Sequence, residues 1–198
     1  MNSLFINCKS LVSLNLTNFH TYKVQDFSQM FKGCSSLESL DLTSFQTPYL
    51  TKMNQMLMYC ISLKSINLSS FITSKVTETN NLFRNCKSLI SLEVNHFNTS
   101  SVTNIGRMFS ECRSLTCLNL SNFDLSKAND LGGVFMDSSN LEYIILENSN
   151  CKWTGGGFLS GTAKNIVVCT HDQKVINAIR ECGVVDCSIN WREKQKKN

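Results

Sequence analysis

The residues able to do chemistry in this chain are first of all its cysteines, ten in 198 residues, with three histidines beside them. Thiols at that density can cross-link a small fold, hold a metal or act as nucleophiles, and spacing decides which. Five of them, Cys8, Cys34, Cys60, Cys86 and Cys112, recur every 26 residues. The others are Cys117, Cys151, Cys169, Cys182 and Cys187. No Cys-x-x-Cys pair and no Cys/His quartet with zinc spacing occurs, which predicts no metal site. His20, His96 and His171 have no neighbouring carboxylate or nucleophile in a recognisable arrangement, and no carboxylate pair recurs. No catalytic residue is therefore assigned. Gly155, Gly156 and Gly157 lack the Gly-Lys-Ser/Thr that completes a phosphate loop and read as the entry to a terminal unit. No cofactor is expected.

The regular cysteines belong to a repeat. Each opens the phrase Cys-x-Ser-Leu, from Cys8-Lys-Ser-Leu11 to Cys112-Arg-Ser-Leu115, and Ser138-Ser-Asn-Leu141 is a sixth copy without the thiol. Counting from the cysteine as zero, apolar residues stand at +3 (Leu11, Leu37, Leu63, Leu89, Leu115, Leu141), at +6 (Leu14, Leu40, Ile66, Leu92, Leu118, Ile144) and at +8 (Leu16, Leu42, Leu68, Val94, Leu120, Leu146). This is the L-x-x-L-x-L pattern of a leucine-rich repeat. Its last two positions alternate with polar ones, as in a short strand with one buried face. Phe19, Phe45, Phe71, Phe97 and Phe123 form an aromatic spine at +11, followed by threonines at +13. In the second half of a unit, Leu50, Met53, Met56, Leu57 and Cys60 have the spacing of a helix face, with Thr51, Thr77 and Thr103 as N-caps. The fold class expected is α/β: a leucine-rich-repeat solenoid with a parallel sheet, one strand and one short helix per 26-residue repeat, and a C-terminal strand–helix–strand cap. Residues 1–149 form about six repeats, 150–191 the cap and 192–198 a basic disordered tail. In that frame the ladder cysteines are buried free thiols, Cys117 at +5 faces outward, and a Cys182–Cys187 disulfide stays open for an oxidising compartment.

A net charge of +4 and a basic run confined to the tail argue against nucleic acid as a partner, and no stretch of eighteen apolar residues occurs, so no membrane insertion is expected. Met1 sits where Phe27, Met53, Thr79 and Ile105 sit in later copies, so the chain begins inside a unit and any export signal would lie upstream. Of the four N-x-S/T sequons, at Asn15, Asn67, Asn98 and Asn119, three repeat one strand phrase, Asn-Leu-Thr or Asn-Leu-Ser, that follows from the repeat and need not mean glycosylation.

The phrase Met30-Phe-Lys-Gly-Cys-Ser-Ser-Leu-Glu-Ser-Leu-Asp-Leu-Thr-Ser-Phe-Gln-Thr47, matched closely from Met108 to Phe123, resembles the BspA-like leucine-rich-repeat surface proteins over about residues 1–148. The resemblance implies a cell-surface or secreted adhesion and recognition protein whose partner is a protein, of the host or its matrix. It carries no catalytic residues. The alternative is a cytoplasmic scaffold mediating protein–protein contacts. In both cases the binding surface expected is the sheet face: Ser13, Asn15, Glu38, Ser39, Asp41, Lys64, Ser65, Asn67, Ser91, Glu93, Asn119, Glu142 and Tyr143.

Overall fold

The computed structural model describes residues 1–146, 159–163, 167–169 and 185–186. Within them the chain winds in coils that stack at the repeat length. Parallel strands β1 (Ser39–Asp41) and β2 (Ser65–Asn67) form one sheet; β3 (Cys117–Asn119), β4 (Tyr143–Ile145), β5 (Val167–Cys169) and β6 (Val185–Asp186) form a second, in that order. Partners are one repeat apart wherever both strands lie in the repeats: Leu40 pairs with Ile66 and Leu118 with Ile144. The expected strands of the first and fourth coils are absent. At 91–94 the alternation of faces persists, with Leu92 and Val94 buried and Ser91 and Glu93 exposed, but no ladder forms. The two cap strands fall where expected, each parallel to its neighbour. The expected cap helix at 172–182, the glycine run, Cys151, Cys182, Cys187 and the tail lie outside the described residues.

The short helix expected in each unit does not form. Among the described residues its place is taken by a string of turns with two left-handed residues per coil. One column is Ser3, Gln29, Gln55, Asn81, Arg107 and Gly133; the other is Asn7, Gly33, Tyr59, Asn85, Glu111 and Asp137, all with φ between 55° and 76°. A left-handed residue every few positions breaks the run of equal dihedrals that a helix needs. It also turns alternate N–H groups toward the next coil. Thus Phe27, Gln29, Phe31 and Gly33 donate to the carbonyls of Lys52, Asn54, Met56 and Met58, and the following coil repeats the arrangement from Met53 to Tyr59. Backbone polarity is satisfied between coils rather than within a helix. Phe27, Met30, Phe31 and Cys34 still point inward, as do Met53, Met56, Leu57 and Cys60. The apolar spacing was therefore correct for facing and ambiguous for backbone.

The threonines assigned as N-caps do something else. Thr51 Oγ1 donates to Gln25 O at 3.0 Å, Thr77 Oγ1 to Thr51 O at 3.4 Å and Thr103 Oγ1 to Thr77 O at 3.2 Å, so each ties its coil to the preceding one. The turn threonines at +13 are buried and tie forward. Thr47 Oγ1 donates to Ile72 O at 3.2 Å and accepts the Ile72 N–H at 2.7 Å.

The core runs along the stack between the sheet side and the turn side. The +3 and +8 leucines from the second coil onward and Phe45, Phe71, Phe97 and Phe123 are buried. Spine rings 45 and 71 stack with centroids 6.3 Å apart. A second aromatic column stands at −3: Phe83, Phe109 and Phe135 are near-parallel at 5.8 Å. The first coil is stacked on one side only, which leaves Leu11, Leu14 and Phe19 partly buried and Cys8 exposed, against the expectation that all five ladder thiols are buried.

Candidate functional site

The buried thiols have a structural task. Cys34 donates to Phe5 O at 3.1 Å, Cys60 to Phe31 O at 3.1 Å, Cys86 to Leu57 O at 3.3 Å and Cys112 to Phe83 O at 3.2 Å. In the sixth coil Ser138 takes over, donating to Phe109 O at 2.7 Å and accepting the Cys112 N–H. A residue that is small, apolar in bulk and able to donate one hydrogen bond fits this corner. Burial pushes the Cys34 thiol up from 9.0 to about 11 and Cys112 to about 12, and raises Cys60 and Cys86 as well, so these thiols stay protonated and inert. Cys117 is exposed as expected, but desolvation and then the nearby Glu93 charge raise its pKa too, which disfavours the thiolate. No cluster of three or more His, Cys, Asp or Glu side chains able to hold a metal occurs among the described residues.

The remaining candidate is the sheet face. A shallow concavity of about 530 Å³ opens on it, across β1, β2 and the fourth coil. Five of the expected face residues line it: Ser39, Asp41, Ser65, Asn67 and Glu93. Ser13, Asn15, Glu38, Lys64, Ser91 and Glu142 are exposed outside its lining; Asn119 and Tyr143 are half-buried. Ile145, which the alternation places outward, is buried instead, an apolar side chain where other coils carry Asn, Asp or Glu.

The column at +7 sets the character of the concavity. It reads Asn15, Asp41, Asn67, Glu93, Asn119. Each Asn or Asp in it accepts the backbone N–H two residues on. The bonds are Thr17 to Asn15, Thr43 to Asp41, Ser69 to Asn67 and Ser121 to Asn119, at 3.0–3.1 Å. These are Asx turns, and they explain the repeated sequon: aspartate serves equally at position 41. The backbone N–H and then the hydroxyl of Thr43 hold the Asp41 carboxyl below the usual carboxylate range, so it stays ionised. Glu93, one methylene longer, makes no such turn.

Sequence reasoning missed the floor and one wall. Leu40, Ile66 and Leu68 form the floor, and Ile66 is only half-buried. His96 stands at +10, where Ser44 and Ser70 donate to Leu16 O and Leu42 O; its Nε2 lies 3.1 Å from Leu68 O, which requires the proton on that nitrogen. The equivalence with those serines was visible in the alignment of repeats. Among the described residues the one cation on this part of the face is Lys64, engaged by Glu38 at 2.9 Å. Exposed aromatic side chains lie elsewhere, at the turn edge, where Tyr22 and Tyr49 meet edge-on at 5.6 Å with Lys75 above the Tyr49 ring.

Stacked coils of one length, joined by hydrogen-bond columns that recur from coil to coil, define a repeat protein. A family model described as a Mycoplasma protein of unknown function, DUF285, matches residues 1–88 and again 61–153, and the chain belongs to that family. No curated protein and no solved structure matches it. No helix among the described residues is long and apolar enough to cross a membrane.

Proposed function

We propose that this chain is a leucine-rich-repeat solenoid of the BspA-like type acting as a non-enzymatic protein-binding module, at the cell surface or secreted, in adhesion or recognition. One observation carries the reading: the concavity across β1, β2 and the fourth coil is lined by residues at the outward repeat positions, Ser39, Asp41, Ser65, Asn67 and Glu93. Solenoids use such extended faces for partners. The lining offers hydroxyls, the Asn67 amide and two carboxylates over an apolar floor, a composition suited to the backbone and side chains of a docked polypeptide.

The test is selection of peptide ligands from a random displayed library, followed by amide hydrogen exchange of the complex. Protection concentrated at 39–41, 65–67 and 91–96 supports the reading. Ligands that protect only the opposite ribbon of turns, or a selection that yields none, would sink it.

A further inference from the structure

The +7 column alternates amide and carboxylate, so its charges recur every second coil: Asp41 in the second and Glu93 in the fourth, with Asn67 between them. Strands pair at about 4.8 Å, which puts successive charges on this column about 9.6 Å apart along the stack. A polyproline-II helix repeats every three residues, about 9.3 Å, and presents every third side chain on one face. An extended β-strand cannot do this, because residues three apart fall on opposite faces.

We propose that the concavity is a docking groove for a polyproline-II segment of a partner protein carrying lysine or arginine at every third position, lying along the stack over the +7 column. This rests on the protein-binding reading above and names the partner's chemistry. Charge complementarity carries it. The face from the second to the sixth coil presents Glu38, Asp41, Glu93 and Glu142 against one lysine, Lys64, which Glu38 already engages, although the whole chain is net +4. Asp41 is ionised, and Glu93 has no hydrogen-bond or salt-bridge partner among the described residues. Between them, Asn67 spends its carbonyl oxygen on the Ser69 N–H and keeps its amide nitrogen to donate. A polyproline-II backbone makes no internal hydrogen bonds, so its carbonyls accept freely. The half-exposed Ile66 lies on the floor between the two carboxylates, where the methylene stem of a bound lysine loses water.

The experiment is fluorescence anisotropy at near-physiological salt with three labelled peptides of equal length. One repeats Pro-Pro-Lys, one has the same composition with its lysines in a single block, and one repeats Pro-Pro-Glu. The Pro-Pro-Lys repeat is expected to bind several-fold more tightly than the blocked peptide, and the Pro-Pro-Glu repeat not at all. The double variant Asp41→Asn/Glu93→Gln keeps an Asx-capable residue at position 41, and its unfolding midpoint is expected to match the parent. It should weaken the Pro-Pro-Lys complex roughly tenfold, the scale of two exposed ion pairs. Equal affinity for the two lysine peptides, undiminished affinity of the double variant, or no binding overturns the proposal. If library-selected ligands still protect 39–41 and 65–67 in that event, the broader reading of the face stands and only the partner's chemistry is wrong.

Discussion

At the scale of single residues, the ladder cysteine shows how one position serves packing and hydrogen bonding together. Its side chain fills a corner that is dry in coils two to five and gives its S–H to a carbonyl of the preceding coil. Serine can do the second task, as Ser138 does; valine cannot. Cys86→Ser is therefore expected to keep more of the parent's stability in denaturant unfolding than Cys86→Val, which leaves Leu57 O with the Cys60 N–H alone and loses about 0.5–1.5 kcal/mol. The reverse order would show that the thiols only pack. The same burial sets an alkaline limit. An unfolded thiol loses its proton near 9.0, whereas Cys34 in the fold holds it to about 11. The folded state thus binds more protons between those values, so stability is intact below pH 9 and falls as pH rises from there toward 11. Unfolding free energies measured across that range should decline, and the decline should be shallower in Cys34→Ser.

At the scale of elements, the left-handed columns decide the backbone. Gly33 sits at φ +76° with Asn7 Oδ1 where its Cβ would be, so Gly33→Ala is expected to destabilise by more than about 1 kcal/mol, and a variant at or above parent stability would contradict the geometry. The strand half of each unit was legible in sequence because alternation of apolar and polar residues has one structural meaning there. The other half was not. Phe27, Met30, Phe31 and Cys34 sit at i, i+3, i+4 and i+7, and an inward-facing run of turns satisfies that spacing as well as a helix does. The left-handed sites carry glycine at only two of the twelve repeat positions, and Gln29, Gln55, Arg107 and Glu111 give no turn signal. The face residues were legible because outward strand positions follow directly from the register. The concavity's floor was not, since Ile66 occupies an inward position yet stays half-exposed, and His96 was hidden until its column was seen to donate to the neighbouring coil.

At the scale of the whole molecule, the columns of ribbon, threonine and thiol bonds join each coil to its neighbours, so coils are interchangeable units. Deleting 61–86, one full repeat, is expected to leave a cooperatively unfolding protein with a sigmoidal thermal transition, whereas a half-repeat deletion of 61–73 throws both aromatic columns and the thiol ladder out of register and should abolish it. Equal tolerance of both deletions would refute the stacked-coil account. With core, ribbon and turn positions committed to joining coils, the proposed recognition is assigned to the outward strand positions and to the concavity they line. The measurement that bears on this most directly is amide hydrogen exchange of the native chain with and without a library-selected peptide. Slowed exchange at 39–41, 65–67 and 91–96, and unchanged exchange on the ribbon at 27–33 and 53–59, is the predicted result; slowing on the ribbon with the strand face unaffected would contradict it.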